Sequence, residues 1–284
     1  MPSVVATRVV TGAVLIALVL CALFLLPPWG WAIAVLAVIG AAAREWGMLL
    51  SLSNARTWTL VAAVVVIGVI ALVAATPVAG AGWPRPIVVS ACGLATLFWL
   101  LVGTPSVLFD WQPRHLVSGA MGTVVVLLGA FVAVVELQAR SPLLVLAAMA
   151  IVWIADTAAF FAGRAFGRHK LAPRISPGKS WEGAAGGVLA VVIYAALLVP
   201  LAARAGVTTV IDAQAIAAWM TFAVALTALS IIGDLHESLL KRRAGVKDSG
   251  TLLPGHGGVL DRTDALLAAM PPLALAARLF MDRI

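Results

Sequence analysis

Charge is scarce in this chain: Asp, Glu, Lys and Arg make up 11% of its 284 residues, 63% are hydrophobic, and the mean hydropathy is +1.09. That balance excludes an ordinary soluble domain, in which about a quarter of residues are charged. Cysteine is scarcer still. Cys21 and Cys92 lie in separate apolar runs with no partner spacing, which argues against a disulfide framework or a thiolate metal site. The short alternating segments of a membrane β-barrel are missing, as are long-period repeats and low-complexity tracts. Acidic residues are nearly absent from the first half, where Glu45, Asp110 and Glu136 are the only ones before residue 141.

What the chain does have is a succession of apolar runs long enough to cross a hydrocarbon core as helices. They fall near 9–26, 29–50, 57–75, 86–103, 117–136, 142–163, 183–204, 215–233 and 262–280. The expected fold class is therefore all-α, a polytopic integral membrane protein with about nine transmembrane helices. The first run is longer than a secretory signal core, lacks a small-residue cleavage site and leads straight into another span, so it reads as a retained helix. The last is interrupted by Asp264, Pro271 and Pro272, and prolines are expected to kink it.

Basic residues orient the chain. With the N-terminus inside, the inner segments carry Arg8, Arg44, Arg56, Arg114 and the basic residues of two long polar loops, 164–179 and 241–262. The outer segments keep only Arg85, Arg140, Arg204, Arg278 and Arg283. The positive-inside rule then places the N-terminus and both loops in the cytoplasm, with the protein in the cell's inner membrane. The net charge of +7 reads as topology plus affinity for anionic partners, lipid headgroups included. Without a soluble basic domain, nucleic acid is not an expected partner.

The chain also divides chemically. Residues 1–140 read as scaffold and lipid-facing helices, and residues 141–284 as the helices and two cytoplasmic loops that carry chemistry. Asp156 sits in the apolar stretch IVWIADTAAFFAG, where a carboxylate costs several kcal/mol unless it meets a polar cavity or a cation. Next comes GRAFGRHKLAPRISPGKSWEG, whose basic side chains and glycines suit phosphate binding. Within it, Ser180 is suited to cap a helix beginning near Trp181, with Glu182 in its first turn; Lys179, just before the cap, is the better candidate for a ligand contact.

The second polar segment is denser. Asp234, Glu237, Ser238 and Lys241 recur at helical spacing, so a continued eighth helix would show them on one face of its cytoplasmic end. Arg242, Arg243 and Lys247 add cationic donors, and Asp248 follows. The run Leu253-Pro254-Gly255-His256-Gly257-Gly258 cannot stay helical, and its glycines permit positive φ and close backbone approach. His256 suits either a phosphate contact or proton shuttle, or a hydrogen bond that fixes the loop. Asp261 and Asp264 then share one face of the next helix, with Arg262 between them. Carboxylates from two helix ends beside clustered Lys and Arg meet the needs of metal-assisted phosphoryl transfer, and oxygen-only ligands favour Mg²⁺ or Mn²⁺. No Ser or Cys nucleophile is evident, and none is required.

Ser238, Lys241, Arg242, Lys247, Asp248, Gly250, Leu253, Pro254, His256, Gly257, Gly258, Asp261, Arg262 and Asp264 together resemble the signature of the phosphatidate cytidylyltransferases, also called CDP-diacylglycerol synthases. The upstream ISPGKSWEG is similar to that family's second motif, with Gly178 where lysine is common and Ser180 where threonine is common. The resemblance implies the reaction CTP + phosphatidate → CDP-diacylglycerol + pyrophosphate, assisted by Mg²⁺, with Mn²⁺ or a second cation as options. Asp234 and Asp261 are then the first metal ligands to expect, with Asp264 and Asp248 next. Lys241, Arg242, Lys247 and Arg262 would clamp phosphates, joined by Ser176, Lys179, Ser238 and the backbone at Gly257 and Gly258. Asp156 and Glu182 would support them, and His256 would stand at the reacting phosphates. Two other classes stay open, a CTP-dependent lipid kinase and a transporter with intramembrane carboxylates. Acyl-chain preference and oligomeric state are also open, a homodimer included.

Overall fold

The computed structural model describes residues 4–75, 82–111, 116–204 and 212–280. Helices α1 (Val4–Leu25), α2 (Pro28–Leu49) and α3 (Asn54–Ala75) come first. Helix α4 (Arg85–Phe98) passes through a π-turn (Trp99–Gly103) into α5 (Thr104–Phe109), and α6 (Leu116–Arg140) and α7 (Pro142–Phe166) follow. A two-stranded hairpin, β1 (Lys170–Ala172) and β2 (Ser176–Ser180), precedes α8 (Trp181–Arg204), α9 (Ala213–Arg243) and α10 (Leu260–Phe280). Every apolar run expected to span is helical to within a residue at its ends; α4 and the π-turn cover the run 86–103, and α5 carries that span on to Phe109. Among the described residues, eight segments are long and apolar enough to cross a membrane, and Val10–Leu25 in α1 is a shorter apolar helix. The protein is an all-α polytopic membrane protein.

Local chemistry explains the boundaries. Pro28 opens α2 at a position where a missing N–H costs nothing, and Asp212 caps α9 by accepting from Ala215 N at 2.6 Å. Pro105 cannot donate to the carbonyl four residues back, and the chain widens into the π-turn just before it; Thr104 Oγ1 donates to Trp99 O at 2.8 Å.

The principal core lies where α2, α4, α6 and α10 meet, around Trp31, Trp46, Trp99, Leu127, Phe131 and Met270. A second cluster joins α7, α8 and α9 through Ile151, Ala155, Val191, Ala195 and Leu226. Helices α7 and α8 approach along a small-residue seam: a Cβ on Gly183 would stand 2.8 Å from Ala159 O, and one on Gly187 2.9 Å from Ala155 O. Gly183, a glycine of the phosphate-suited stretch, thus serves helix packing.

Helix α10 runs unbroken through Pro271 and Pro272, both buried. Pro271 leaves the carbonyl of Leu267 without its helical donor, and the indole Nε1 of Trp99 fills that role at 3.0 Å. The opposite end of the bundle holds a buried polar knot, in which Glu136 pairs with Arg140 at 2.9 Å and Arg278 at 3.5 Å and accepts from Trp83 N at 2.8 Å.

Candidate active site

The site forms where α9, α10, the 244–259 loop and the β-hairpin converge. Helix α9 has 31 residues, about 46 Å at 1.5 Å per residue, so it outreaches a hydrocarbon core of about 30 Å. The expected eighth span ends at residue 233, whereas the helix continues to Arg243 and keeps Asp234, Glu237, Ser238 and Lys241 on one face. Ser238 Oγ donates to Asp234 Oδ1 at 3.4 Å. A Cβ on Gly233 would meet Asp264 O at 2.7 Å, so this glycine lets α10 bring Asp264 against α9.

Lys241 is the hub. Its Nζ lies 2.6 Å from Asp261 Oδ1 and 2.5 Å from Glu237 Oε2, with all three side chains nearly buried. Glu237 has this ion pair but no well-aligned hydrogen bond. The other oxygen of Asp261 accepts from Gly258 N at 2.8 Å and Ser249 N at 2.9 Å, and lies 3.0 Å from Ser249 Oγ. Asp261 is therefore engaged on both oxygens. Asp264 keeps one local bond, from Ala265 N at 2.8 Å, and lies within electrostatic range of Asp234 and Glu237.

The hairpin supplies the facing wall. Lys179 Nζ stands 2.6 Å from Asp234 Oδ2, and Arg242 Nε donates to Ile175 O at 3.3 Å. Ile175 is buried against Leu235 and Leu239, which gives the hairpin an apolar seat on α9. Ser176 pairs with Ala172 across the hairpin, while Arg164, Arg168, Lys170 and Arg174 are exposed around it. Ser180 caps α8 as its position suggests, accepting from Gly183 N at 3.1 Å. Glu182 holds the hairpin's entry instead of facing Asp234: it accepts from His169 N at 3.2 Å and meets His169 Nδ1 at 2.6 Å. Asp156, exposed on α7, is within electrostatic range of both Asp234 and Lys179. It lies about 15 Å from the C-terminal end of α7, so its exposure calls for a water-filled opening at that depth.

In the motif loop, Leu253 N donates to Gly257 O at 2.8 Å and His256 N to Leu253 O at 2.9 Å, closing a turn in which Gly255 and Gly257 take φ of 74° and 83°. The close approach these glycines permit is to the protein's own carboxylates: a Cβ on Gly257 would lie 2.5 Å from Asp261 Oδ2, and one on Gly258 would collide with Glu45 and Ser249. Lys247, Asp248 and Arg262 are exposed. His256 packs near Gly12 of α1, and its backbone carbonyl accepts from Arg262 Nε at 3.1 Å. Arg243 turns away from the cluster and binds Asp110 at the end of α5 at 2.6 Å.

A family model described as the cytidylyltransferase family matches residues 6–280. The chain belongs to the cytidylyltransferase family. It is similar to the phosphatidate cytidylyltransferase of Haemophilus influenzae, with 35% identity over 280 residues, covering 93% of this chain and 95% of that one. It is 40% identical over 271 residues to the Pseudomonas aeruginosa protein of the same name, covering 94% of each. A Brucella suis phosphatidate cytidylyltransferase shares 49% identity over 133 residues, 47% of this chain and 46% of its own. As a member of the cytidylyltransferase family, the chain is a nucleotidyltransferase.

Two residues of the site carry no sequence motif. Glu45 of α2 is buried and binds the motif loop, and the only hint of it is a carboxylate inside an apolar run. His236, between Asp234 and Glu237, is buried in a box of aromatic rings from Trp46, Phe98 and Trp99, with centroids 6.0, 6.1 and 5.5 Å away. Nothing in its spacing distinguishes it from its neighbours on α9.

A family whose reaction transfers a nucleotide typically uses divalent cations, and the donor chemistry fits. Among the described residues no group of three or more His, Cys, Asp or Glu encloses an ion. A hard cation held by one or two carboxylates and completed by substrate phosphates and water needs no such cage.

Proposed function

We propose that this chain transfers the cytidylyl group of CTP to phosphatidate, forming CDP-diacylglycerol and releasing pyrophosphate. The observation that carries the reading is the meeting of three segments, with Lys179 of the hairpin paired to Asp234 of α9 and Lys241 of α9 paired to Asp261 of α10. A phosphate oxygen of phosphatidate attacks the α-phosphorus of CTP in line. The bond to the bridging oxygen breaks, and pyrophosphate leaves with that electron pair. The attacking phosphate is already ionised at neutral pH, so positioning and charge neutralisation account for most of the catalysis.

Lys241, Arg242, Lys247 and Arg262 clamp phosphates, with Lys179 reaching in from the hairpin and Ser176, Ser238 and the Gly257 and Gly258 backbone nearby. Asp234 and Asp264 would hold Mg²⁺, which supplies charge neutralisation at the attacked and leaving phosphates. Asp261 holds Lys241 and the loop in register with them; Asp248 stands exposed on the loop, and His256, half-buried toward α1, backs it. Asp156 keeps the surface of α7 near Asp234 and Lys179 polar, as a path for a lipid headgroup requires. Residues 141–284 carry this chemistry on a scaffold formed by residues 1–140. The protein sits in the inner membrane with the N-terminus and site cytoplasmic, where CTP is.

The test is pyrophosphate release by purified protein given CTP and phosphatidate vesicles, with Mg²⁺ and after chelation. Release only with both substrates and cation is expected, and no release under any divalent condition overturns the reading. Labelled CTP separates a CTP-dependent lipid kinase, which leaves phosphate alone on the lipid, from the cytidylyl transfer expected here. For orientation, a single cysteine replacing exposed Thr251, in a chain freed of Cys21 and Cys92, labels from the cytoplasmic side only.

A further inference from the structure

Glu45 lies in α2, within the half of the chain whose sequence reads as scaffold, and is 3% exposed. A carboxylate placed there is costly unless its oxygens are satisfied. They are satisfied by the motif loop: Oε1 accepts from Val259 N at 3.0 Å, and Oε2 from Leu260 N at 2.8 Å and Ser249 Oγ at 2.8 Å. Two of those donors are the free amides at the start of α10, where the helix dipole favours an anion. Glu45 is thus an N-terminal cap delivered from another helix.

Ser249 ties this cap to the site. Its hydroxyl lies between Glu45 Oε2 and Asp261 Oδ2, 2.8 and 3.0 Å away, and accepts from Asp261 N at 3.3 Å. Space is closed around the carboxylate: a Cβ on Gly250 would stand 2.6 Å from Glu45 Oε1, and Gly258 has no room for one either. The middle of the loop at Ser249, its end at Val259 and the first residue of α10 are therefore pinned to one side chain. The first turn of that helix carries Asp261, and Asp264 follows it at the start of the next turn.

We propose that Glu45 is a positioning residue for the transfer reaction: through Ser249 and the first amides of α10 it sets where Asp261 and Asp264 stand against Lys241 and Asp234. The inference rests on the reaction proposed above. Glu45 touches no substrate. In Glu45→Gln the size is kept, but the charge is lost and an NH₂ group is turned toward one donor.

Glu45→Gln should lower kcat about 10- to 100-fold, the range for losing a partner that orients a ligand, and raise the half-saturating Mg²⁺ concentration. Trypsin should cut the folded protein faster at Lys247, because the loop has lost its anchor, while the thermal midpoint stays within a few degrees of the parent. Kinetics and cleavage within twofold of the parent overturn the inference, as does a kcat loss that only matches the fraction unfolded. Should Glu45→Gln fail to insert, Ser249→Ala carries the same test, since it cuts the link to both carboxylates without leaving a charge unpaired. A parent protein that releases no pyrophosphate defeats the proposed reaction instead, and the cleavage comparison still decides whether Glu45 anchors the loop.

Discussion

Lys241 of α9 and Asp261 of α10 are joined at 2.6 Å between side chains only 12% and 6% exposed, and Glu237 shares the same ammonium at 2.5 Å. One positive charge thus holds two carboxylates from two helices. Breaking a buried pair by removing one partner costs about 3–5 kcal/mol, because the remaining charges stay buried without compensation. Lys241→Met should lower the unfolding midpoint in detergent by an amount of that order and abolish pyrophosphate release. Adding Glu237→Gln should recover much of the stability and none of the turnover, since the phosphate clamp is still missing. A Lys241→Met protein as stable as the parent would refute the hub assignment.

The Lys179–Asp234 pair should respond differently. At 26% and 29% exposure its side chains are partly solvated, and such pairs contribute about 0–1 kcal/mol. Lys179→Met should leave the unfolding midpoint nearly unchanged and reduce turnover about 100-fold, on the scale of removing one preorganised electrostatic contact. Parallel loss of stability and activity would instead mean that Lys179 mainly fastens the hairpin.

These two pairs mark what was legible in the sequence. The spacing of Asp234, Glu237, Ser238 and Lys241 placed them on one helical face, and the structure keeps that face by carrying α9 on to Arg243. Ser180 was readable as a cap for the same reason: helix ends need a local acceptor, and the residue stood in place. Glu45 was not readable as a partner of the loop. A lone carboxylate in AAAREWGML reports that something must satisfy it, but which distant amides do so depends on how α2 packs beside α10. Gly257 and Gly258 announced a tight approach, and the group approached turned out to be protein carboxylate. The continuity of α10 through two prolines also depended on a tertiary contact, the indole of Trp99.

That contact makes its own prediction. Trp99 is 1% exposed and its Nε1 donates to Leu267 O, a carbonyl freed by Pro271. Trp99→Phe removes the donor and keeps most of the apolar bulk. An unsatisfied buried acceptor costs about 1–3 kcal/mol, so the variant should unfold at a lower temperature. Replacing Pro271 by Ala in that background restores the helical N–H and should recover the loss. If Pro271→Ala stabilises the parent and the variant equally, the indole is not serving the freed carbonyl.

Gly245 and Gly257 separate backbone strain from collision at the motif loop. Both hold positive φ, 70° and 83°, where a side chain costs about 1–2 kcal/mol. A Cβ on Gly245 would meet nothing within 4 Å, whereas one on Gly257 would stand 2.5 Å from Asp261 Oδ2. Gly245→Ala should therefore show the conformational cost alone, a modest drop in unfolding midpoint with turnover close to the parent's. Gly257→Ala pays that cost and also pushes the Asp261 carboxylate away from Gly258 N and Ser249, so its turnover should fall well below that of Gly245→Ala at comparable stability. Asp261→Asn should match the loss in Gly257→Ala, because each disturbs the carboxylate that Lys241 depends on. Equal turnover in the two alanine variants would show that the position of Asp261 does not limit the reaction.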